Sequence, residues 1–372
     1  PSPKEGRIGM SSSKANDNRK ITIYDIAAEA GVSASTVSRV LTNNVKVNER
    51  KRQKILALVE KYNFRPNTFA KGLADAKSRN IGILMPDVRN PYYASLFIAC
   101  EWAARKENYS VSLHNFLSDV QLEEELLKGF HQQRMDAVIL LGGREDELHT
   151  DMEYVELVNH VASLMPVIIT GKLDGTDCDM VRIDHRKTMD LLMEHLLSLG
   201  HKKIAILGGR MNVLSTFEKI MRYKQLLKES QIPFHPELIG QNGSYDIHSG
   251  YTQMNELYTG SGNSCASFRK MPTAVIAIND YAALGIIQSI HEHGQKIPQD
   301  ISVISYDNTY IAETTVPALT SIDYNYEDYG SVLIKTAIGR LDGAVSPKLQ
   351  IVEPSLVIRE STARAKSARQ EA

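Results

Sequence analysis

The chain has 372 residues, 42% hydrophobic and 23% charged, which supports a sizeable core and two or three domains. No apolar run approaches the roughly 20 residues that span a bilayer, and the opening "PSPKEGRIGMSSSKANDNRK" lacks the apolar centre of a secretory signal. The net charge of −1 hides an asymmetry: up to Ser78 there are 15 Lys and Arg against 7 Asp and Glu, and beyond it 28 against 37. A basic head on an acidic body suits an anionic partner for the head alone, although on charge alone a solvated basic face reads equally well.

Residues 1–19 are polar and read as a disordered arm. From residue 20 to 65 the pattern is helical with short loops. Thr22 suits the cap of a first helix, with Asp25 near its positive end, and Ile23, Ile26, Ala27 and Ala30 share a face. Gly31 ends that helix, Ser33 caps a second running to about Leu41, and Val37, Val40 and Leu41 point inward. Ala34, Ser35, Ser38 and Arg39 are then expected outward. Two short helices joined by a glycine turn make a helix-turn-helix, and small outward residues let the second helix enter a major groove. A third helix, capped by Asn48, is expected to close the small core with Ile55, Leu56, Leu58, Val59 and Tyr62. Its Arg50, Lys51, Arg52 and Lys54 face phosphates or merely water. Residues 66–78 form a linker with a conditional helix: Pro66 suits its first turn, while Gly72 weakens it by roughly 1 kcal/mol relative to Ala.

From residue 79 the pattern turns to alternating strands and helices. "NIGILMP", "VSLH", "DAVILL", "PVIIT", "KKIAILGG", "TAVIAI" and "DISVISYD" are continuous apolar runs, as strands covered on both faces should be. Amphipathic stretches lie between them at 92–107, 121–133, 187–199 and 281–293. The expected class is α/β: a small all-α head plus a two-lobed sensor built on doubly wound parallel sheets. Cys100, Cys178 and Cys265 show no metal-type pairing and read as buried hydrophobes in a reducing compartment. No cofactor or metal site is expected.

The stretches "TIYDIAAEAGVSASTVSRVL", "YNFRPNTFAKGLADAKSRNIGILMPDVRNPYYA", "LGHKKIAILGG", "INDYAALGII" and "ISVISYDNTYIAETTVPALTSID" together resemble the LacI/GalR family of transcriptional regulators. The resemblance runs from about Lys20 to Thr362. It implies a two-lobed sensor like the periplasmic binding proteins, with crossings near Asp184, Asp323 and Pro354. One lobe would be 79–183 with 324–353, the other 184–322 with 354–362, leaving 363–372 as a disordered tail. It also implies DNA-facing roles for Thr22, Ser33, Ala34, Ser35, Thr36, Ser38 and Arg39. Backbone contacts would fall to Tyr24, Asn43 and Lys46, and minor-groove contacts to Asn67, Ala70 and Leu73, with Leu73 as the wedge. In the cleft it points to Asp87, Tyr92, Tyr93, Ser215, Lys219, Tyr245, Asn279, Asp280 and Asp307. For each of these a bland role, capping above all, stands beside the ligand role.

Three features depart from the family. Lys219 stands where an Arg is usual, and Arg222-Tyr223 where a Gly-aromatic pair is usual, so Arg222 takes either a ligand or a structural role. Lys also loses the bidentate fork of Arg. The acidic stretch "GGREDELHTDMEY" is individual. What the resemblance implies is a cytoplasmic homodimeric repressor, with no membrane, on a pseudo-palindromic DNA operator. Its affinity for that operator would be set by a sugar or sugar derivative, and the residues leave open whether ligand releases or recruits DNA. The sensor lobes alone also fit an uptake protein, which the basic head disfavours. An enzyme finds no G-x-S-x-G elbow, P-loop or dinucleotide fingerprint, and His185, His195 and His201 read as surface or capping residues.

Overall fold

Thr22 opens helix α1 (Ile23–Ala30) through a capping box, its side chain accepting from the Asp25 amide while the Asp25 carboxylate accepts from the Thr22 backbone N–H. Gly31 ends the helix at φ 71°, a left-handed conformation that penalises any Cβ. Helix α2 (Ala34–Leu41) follows Ser33, whose hydroxyl accepts from the Thr36 amide. Helix α3 (Glu49–Lys61) follows Asn48, which caps it through the Arg50 amide. Ile26, Ala27, Ala30, Val37, Val40, Ile55 and Leu58 bury themselves together as the head's core. Lys54 donates to the Ala30 carbonyl at 3.1 Å, where α1 ends and its dipole favours a cation. Lys61 and Tyr62 both bond the Glu29 carboxylate, tying α3 back to α1.

This computed structural model describes residues 21–41, 47–64, 77–241, 243–260, 271–345 and 347–366. The chain divides into two compact units, Pro1–Lys77 and Ser78–Ala372. The expected contacts at Asn43, Lys46, Asn67, Ala70 and Leu73, the conditional helix and Cys265 lie outside the described residues.

The larger unit holds two sheets. Strands β1 (Asn80–Met85), β2 (Ser110–Asn115), β3 (Ala137–Leu140), β4 (Val167–Ile169) and β5 (Asp179–Ile183) enter the first, joined later by β10 (Leu349–Val352). The order is β10-β5-β4-β3-β1-β2, every pair parallel. Helices α4 (Pro91–Lys106), α5 (Val120–Gly129), α6 (Met152–Leu164) and the returning α12 (Tyr326–Leu341) connect them. The second sheet holds β6 (Ile204–Leu207), β7 (Ala274–Ala277), β8 (Ser302–Asp307), β9 (Thr320–Asp323) and β11 (Ser355–Val357). Its order is β11-β9-β8-β7-β6, parallel except for β11 against β9. With it go α7 (His185–Ser198), α8 (Leu214–Glu229), α9 (Ile247–Thr259), α10 (Asp280–Glu292) and the short α11 (Tyr310–Thr314). The chain thus passes between sheets after Ile183, after Asp323 and after Val352. β3, β6 and β7 are wholly buried and uniformly apolar, as strands covered on both faces must be, whereas the edge strand β2 is partly exposed.

Four expectations need correction. Leu56 is exposed rather than in the head core, because Ile55, Leu58, Val59 and Tyr62 already fill the inward stripe at helical spacing. Ala34 is half-buried rather than outward, its methyl packing on the edge of that core. Of the expected tail 363–372, residues 363–366 are packed rather than loose: the Ala363 amide donates to Ser302, Ala365 is buried, and its amide donates to the Leu199 carbonyl, while 367–372 lie outside the described residues. His201 is a buried brace, one ring nitrogen on Thr273 and the other on the Ala363 carbonyl, while His195 bonds Thr362. Cys100 and Cys178 are buried free thiols. Among the described residues, no helix is long and apolar enough to cross a membrane, and no cluster of His, Cys, Asp or Glu is built to hold a metal.

Candidate functional site

On the head, Ser35 and Arg39 stand exposed on α2, and Tyr24 on α1 is 73% exposed. Thr36 and Ser38 are half-buried beside them. The hydroxyls of Ser33, Ser35 and Thr36 form a short chain at 2.9 Å spacing across the helix start. Thr22 spends its hydroxyl on Asp25, a capping role.

In the larger unit the carboxyl ends of both parallel sheets carry loops that meet, the place where open α/β sheets take ligands. Tyr92 and Tyr93 open α4 just after β1, where Asn90 caps the helix by accepting from the Tyr92 amide. Gly142 is needed beside them: its φ is 76°, and a Cβ there would come within 2.6 Å of the Tyr93 hydroxyl. Tyr92 meets Tyr93 edge-on at 5.0 Å and Tyr324 at 5.8 Å, and Tyr326 lies 6.1 Å from Tyr92 and 6.5 Å from Tyr324.

The acidic stretch after β3 joins the lobes. Arg144 is buried among Glu123, Glu124 and Asp151 at 2.9–3.1 Å and lies over the Tyr154 ring. Glu145 is fully buried, accepting from the Gly142 amide, the Thr170 hydroxyl and the Gly171 amide. Burial, with Asp146 adjacent, pushes its carboxyl up to about 8. Asp146 accepts from the Ser215 hydroxyl of the opposite lobe at 2.7 Å, and burial lifts it to about 6. Two residues on, the Leu148 amide donates to the Asn212 carbonyl at 2.7 Å. Arg182, ending β5, pairs with Glu218 on α8 at 3.2 Å.

Lys219 on α8 is buried, its ammonium 3.4 Å from the Tyr324 hydroxyl and 4.0 Å from the centre of the Tyr306 ring. Burial lowers its pKa to about 8, against the pull of Asp307 and Asp146. Asp307 ends β8 at φ 97° and is 6% exposed, and its carboxylate accepts no hydrogen bond among the described residues. Burial, reinforced by Asp280, holds its carboxyl well above the usual range. The Tyr245 hydroxyl bonds Thr216 at 2.7 Å, and its carbonyl accepts from Asn279, which also caps α10.

Ser215, Lys219, Asp307, Tyr92 and Tyr93 therefore converge with Asp146, Tyr324 and Tyr326, three residues that sequence reasoning missed. Tyr324 and Tyr326 had a signal, since "YNY" follows a strand end as Tyr92 and Tyr93 do. Two expected residues are already engaged. Asp87 is forked by the neighbouring Arg89, which holds its carboxyl below the usual range. Asp280 is buried and accepts from Ser305, Ser321 and both the amide and hydroxyl of Thr309, so it braces the second lobe. Arg222 is structural, pairing with Asp190 and Glu229.

A helix-turn-helix head joined to a two-lobed sensor defines a DNA-binding regulator with a small-molecule cleft. Two family models match: bacterial regulatory proteins of the lacI family over residues 22–67, and the periplasmic binding protein-like domain over residues 193–362. Catabolite control protein A of Priestia megaterium is 31% identical over 317 residues, 85% of this chain and 91% of that protein. The lac repressor dimer bound to operator and the anti-inducer ONPF is 26% identical, with a TM-score of 0.80 over 93% of this chain and all of that one. A LacI family regulator from Enterococcus faecium with bound ribose is also 26% identical, with a TM-score of 0.65 over 77% of this chain and all of that one. The chain belongs to the lacI family of bacterial regulatory proteins and is a DNA-binding transcriptional regulator. Its relatives are regulators rather than enzymes.

Proposed function

We propose that this regulator is a homodimeric cytoplasmic repressor whose affinity for a pseudo-palindromic operator is set by a sugar or sugar derivative held between the lobes. The observation that carries the reading is the cleft itself: Asp307 and Lys219 are buried at strand and helix positions facing four tyrosines, and the bond from the Ser215 hydroxyl to the Asp146 carboxylate spans the lobes. Carboxylates take sugar hydroxyls and tyrosine rings take sugar faces. The ribose-bound relative and the operator-bound relative support both halves.

In this reading 20–65 is the DNA-binding domain and 66–78 the hinge. The lobes are 79–183 with 324–353, and 184–322 with 354–362, to which the packed residues 363–366 add. Ser35, Arg39, Ser38 and Tyr24 face DNA, with Ser33, Ala34 and Thr36 at the helix start and Thr22 fixing α1. Asn43, Lys46, Asn67, Ala70 and Leu73 carry the roles that the family resemblance assigns. Ser215, Lys219, Asp307, Tyr92, Tyr93 and Tyr245 bind the effector, Asn279 orients Tyr245, and Asp87 and Asp280 hold the frame. Effector binding and operator binding are coupled reciprocally by about 1–3 kcal/mol.

The test is binding to a pool of pseudo-palindromic duplexes at two salt concentrations, with and without a panel of sugars and nucleosides. Selective tight binding that one compound changes is expected, and the direction of the change gives its sign. Weak unselective binding that falls with salt and ignores every compound would reject the reading.

A further inference from the structure

The charge inventory of the cleft narrows the effector further, on the reading that the cleft is the effector site. Glu145 and Asp280 are buried but fully hydrogen-bonded within their own lobes. Arg182 pairs with Glu218 through one terminal nitrogen, and its Nε is buried with no partner among the described residues. His185 is neutral, burial and the nearby Lys219 and Arg182 pushing its pKa well down. That leaves two buried carboxyl groups, Asp146 and Asp307, against one ammonium, Lys219, and burial favours the protonated form of Asp307 as long as no cation is near it. Asp146 has a hydroxyl donor from Ser215. Asp307 has none among the described residues, and the Lys219 ammonium sits on Tyr324 and over Tyr306 instead of in contact with it.

Asp307 is held this way at a cost. A non-glycine residue at φ 97° is strained, and such strain persists where the surroundings impose it, typically at ligand sites. The hydroxyls of a neutral sugar could bond the protonated form of Asp307 but would do little for the ionised one. A cation would pair with the ionised form, and ring faces attract cations. Burial, with Asp307 next, raises the pKa of the Tyr324 and Tyr326 hydroxyls, and the Tyr326 hydroxyl is buried with no partner among the described residues.

We propose that the effector carries a protonated amine, as an amino sugar does, and that its ammonium seats on the Asp307 carboxylate beside Tyr324 and Tyr326. Lys219 then contacts the hydroxyls of the same ligand rather than an acidic group.

The test is calorimetric titration of the full chain near neutral pH with matched pairs: D-glucosamine and D-glucose, D-galactosamine and D-galactose, D-mannosamine and D-mannose. D-ribose and N-acetyl-D-glucosamine serve as uncharged references. At least one amine should bind about tenfold or more tighter than its neutral parent, the scale of one charge-assisted contact. Asp307→Asn should bring that pair close to parity, and Asp307→Glu should retain the preference, which separates lost charge from lost folding. Lys219→Met should tighten the amine and weaken the neutral sugar. A neutral sugar or the N-acetyl compound binding as tightly as the amines overturns the inference and leaves the sugar-sensing reading standing. An amine preference that survives Asp307→Asn overturns the assignment of the charge to Asp307. No binding by any of the compounds overturns the inference and the sugar-sensing reading together.

Discussion

Replacing Glu145 with Gln should invert its stability difference from wild type between acid and alkaline pH. Glu145 is fully buried with its carboxyl pushed up to about 8, against 4.5 for the free group. A carboxyl raised on folding binds its proton more tightly in the folded state. The stability it contributes is therefore complete below about pH 4.5 and is lost as pH rises to about 8. At about 1.36 kcal/mol per pH unit, that window spans about 5 kcal/mol at most. Glu145→Gln removes this dependence at a fixed cost. One oxygen remains for the Gly142 amide and the Thr170 hydroxyl, but the new NH2 faces the Gly171 N–H, which then lacks an acceptor. An unsatisfied buried donor costs about 1–3 kcal/mol at every pH. The variant should therefore be the less stable protein near about pH 5 and the more stable one near about pH 8.5, with the other titrating groups largely cancelling in the difference. Urea unfolding of both proteins, followed through the single tryptophan, Trp102 on α4 of the same lobe, measures it. A difference that stays constant across that range would refute the reasoning.

Ser215→Ala removes one of the bonds that cross the lobes, and effector affinity by calorimetry should fall about tenfold or more, as the loss of one hydrogen bond to a charged acceptor implies; unchanged affinity would separate Ser215 from closure. Arg39→Ala should cost about 1–3 kcal/mol of operator binding and much less on unrelated duplex in a mobility-shift titration, whereas equal losses would make it a phosphate contact only. Arg144→Met strands the buried Glu123 carboxylate and should lower sensor stability by about 3–5 kcal/mol in thermal unfolding. Adding Glu123→Gln should restore part of that loss, and no restoration would contradict the ion-pair account. Ile55→Ala, in the head core, should cost about 2–5 kcal/mol and abolish operator binding while effector titration is unchanged.

The architecture was legible because its signals are local. Parallel strands covered on both faces read as unbroken apolar runs, and Thr22, Gly31, Ser33 and Asn48 mark helix ends by chemistry that acts within three residues. Strand β5 was legible only through its end, since "DMVRI" alternates buried and half-buried positions. The cleft was half legible. Tyr92, Tyr93, Ser215, Lys219 and Asp307 sit at strand and helix ends where such residues stand out. Asp146 did not, because it lies in a charged loop whose sequence suits solvent as well as it suits the interior. What buries it is the approach of Asn212 and Ser215 from the other lobe, a contact between residues more than sixty apart. Asp87 and Asp280 show the opposite case. Both stand where a ligand group should, but Arg89 and the Ser305–Ser321–Thr309 cluster reach them first. Leu56 shows the limit of an apolar count, since one residue beside a filled stripe gains nothing by turning inward.

The first sheet is finished by a strand synthesised long after its partners. β1 to β5 emerge by Ile183, yet their edge partner β10 begins at Leu349, and α12, whose Tyr329 donates to the Val181 carbonyl, begins at Tyr326. During translation the first-made lobe must wait through more than 140 residues with the outer edge of β5 open to any other strand, while the small head, complete by about residue 64, can fold at once. A premature stop near Leu341 would therefore damage the lobe that starts at Asn80. The same exposed edge would leave that fragment prone to pairing with its own copies.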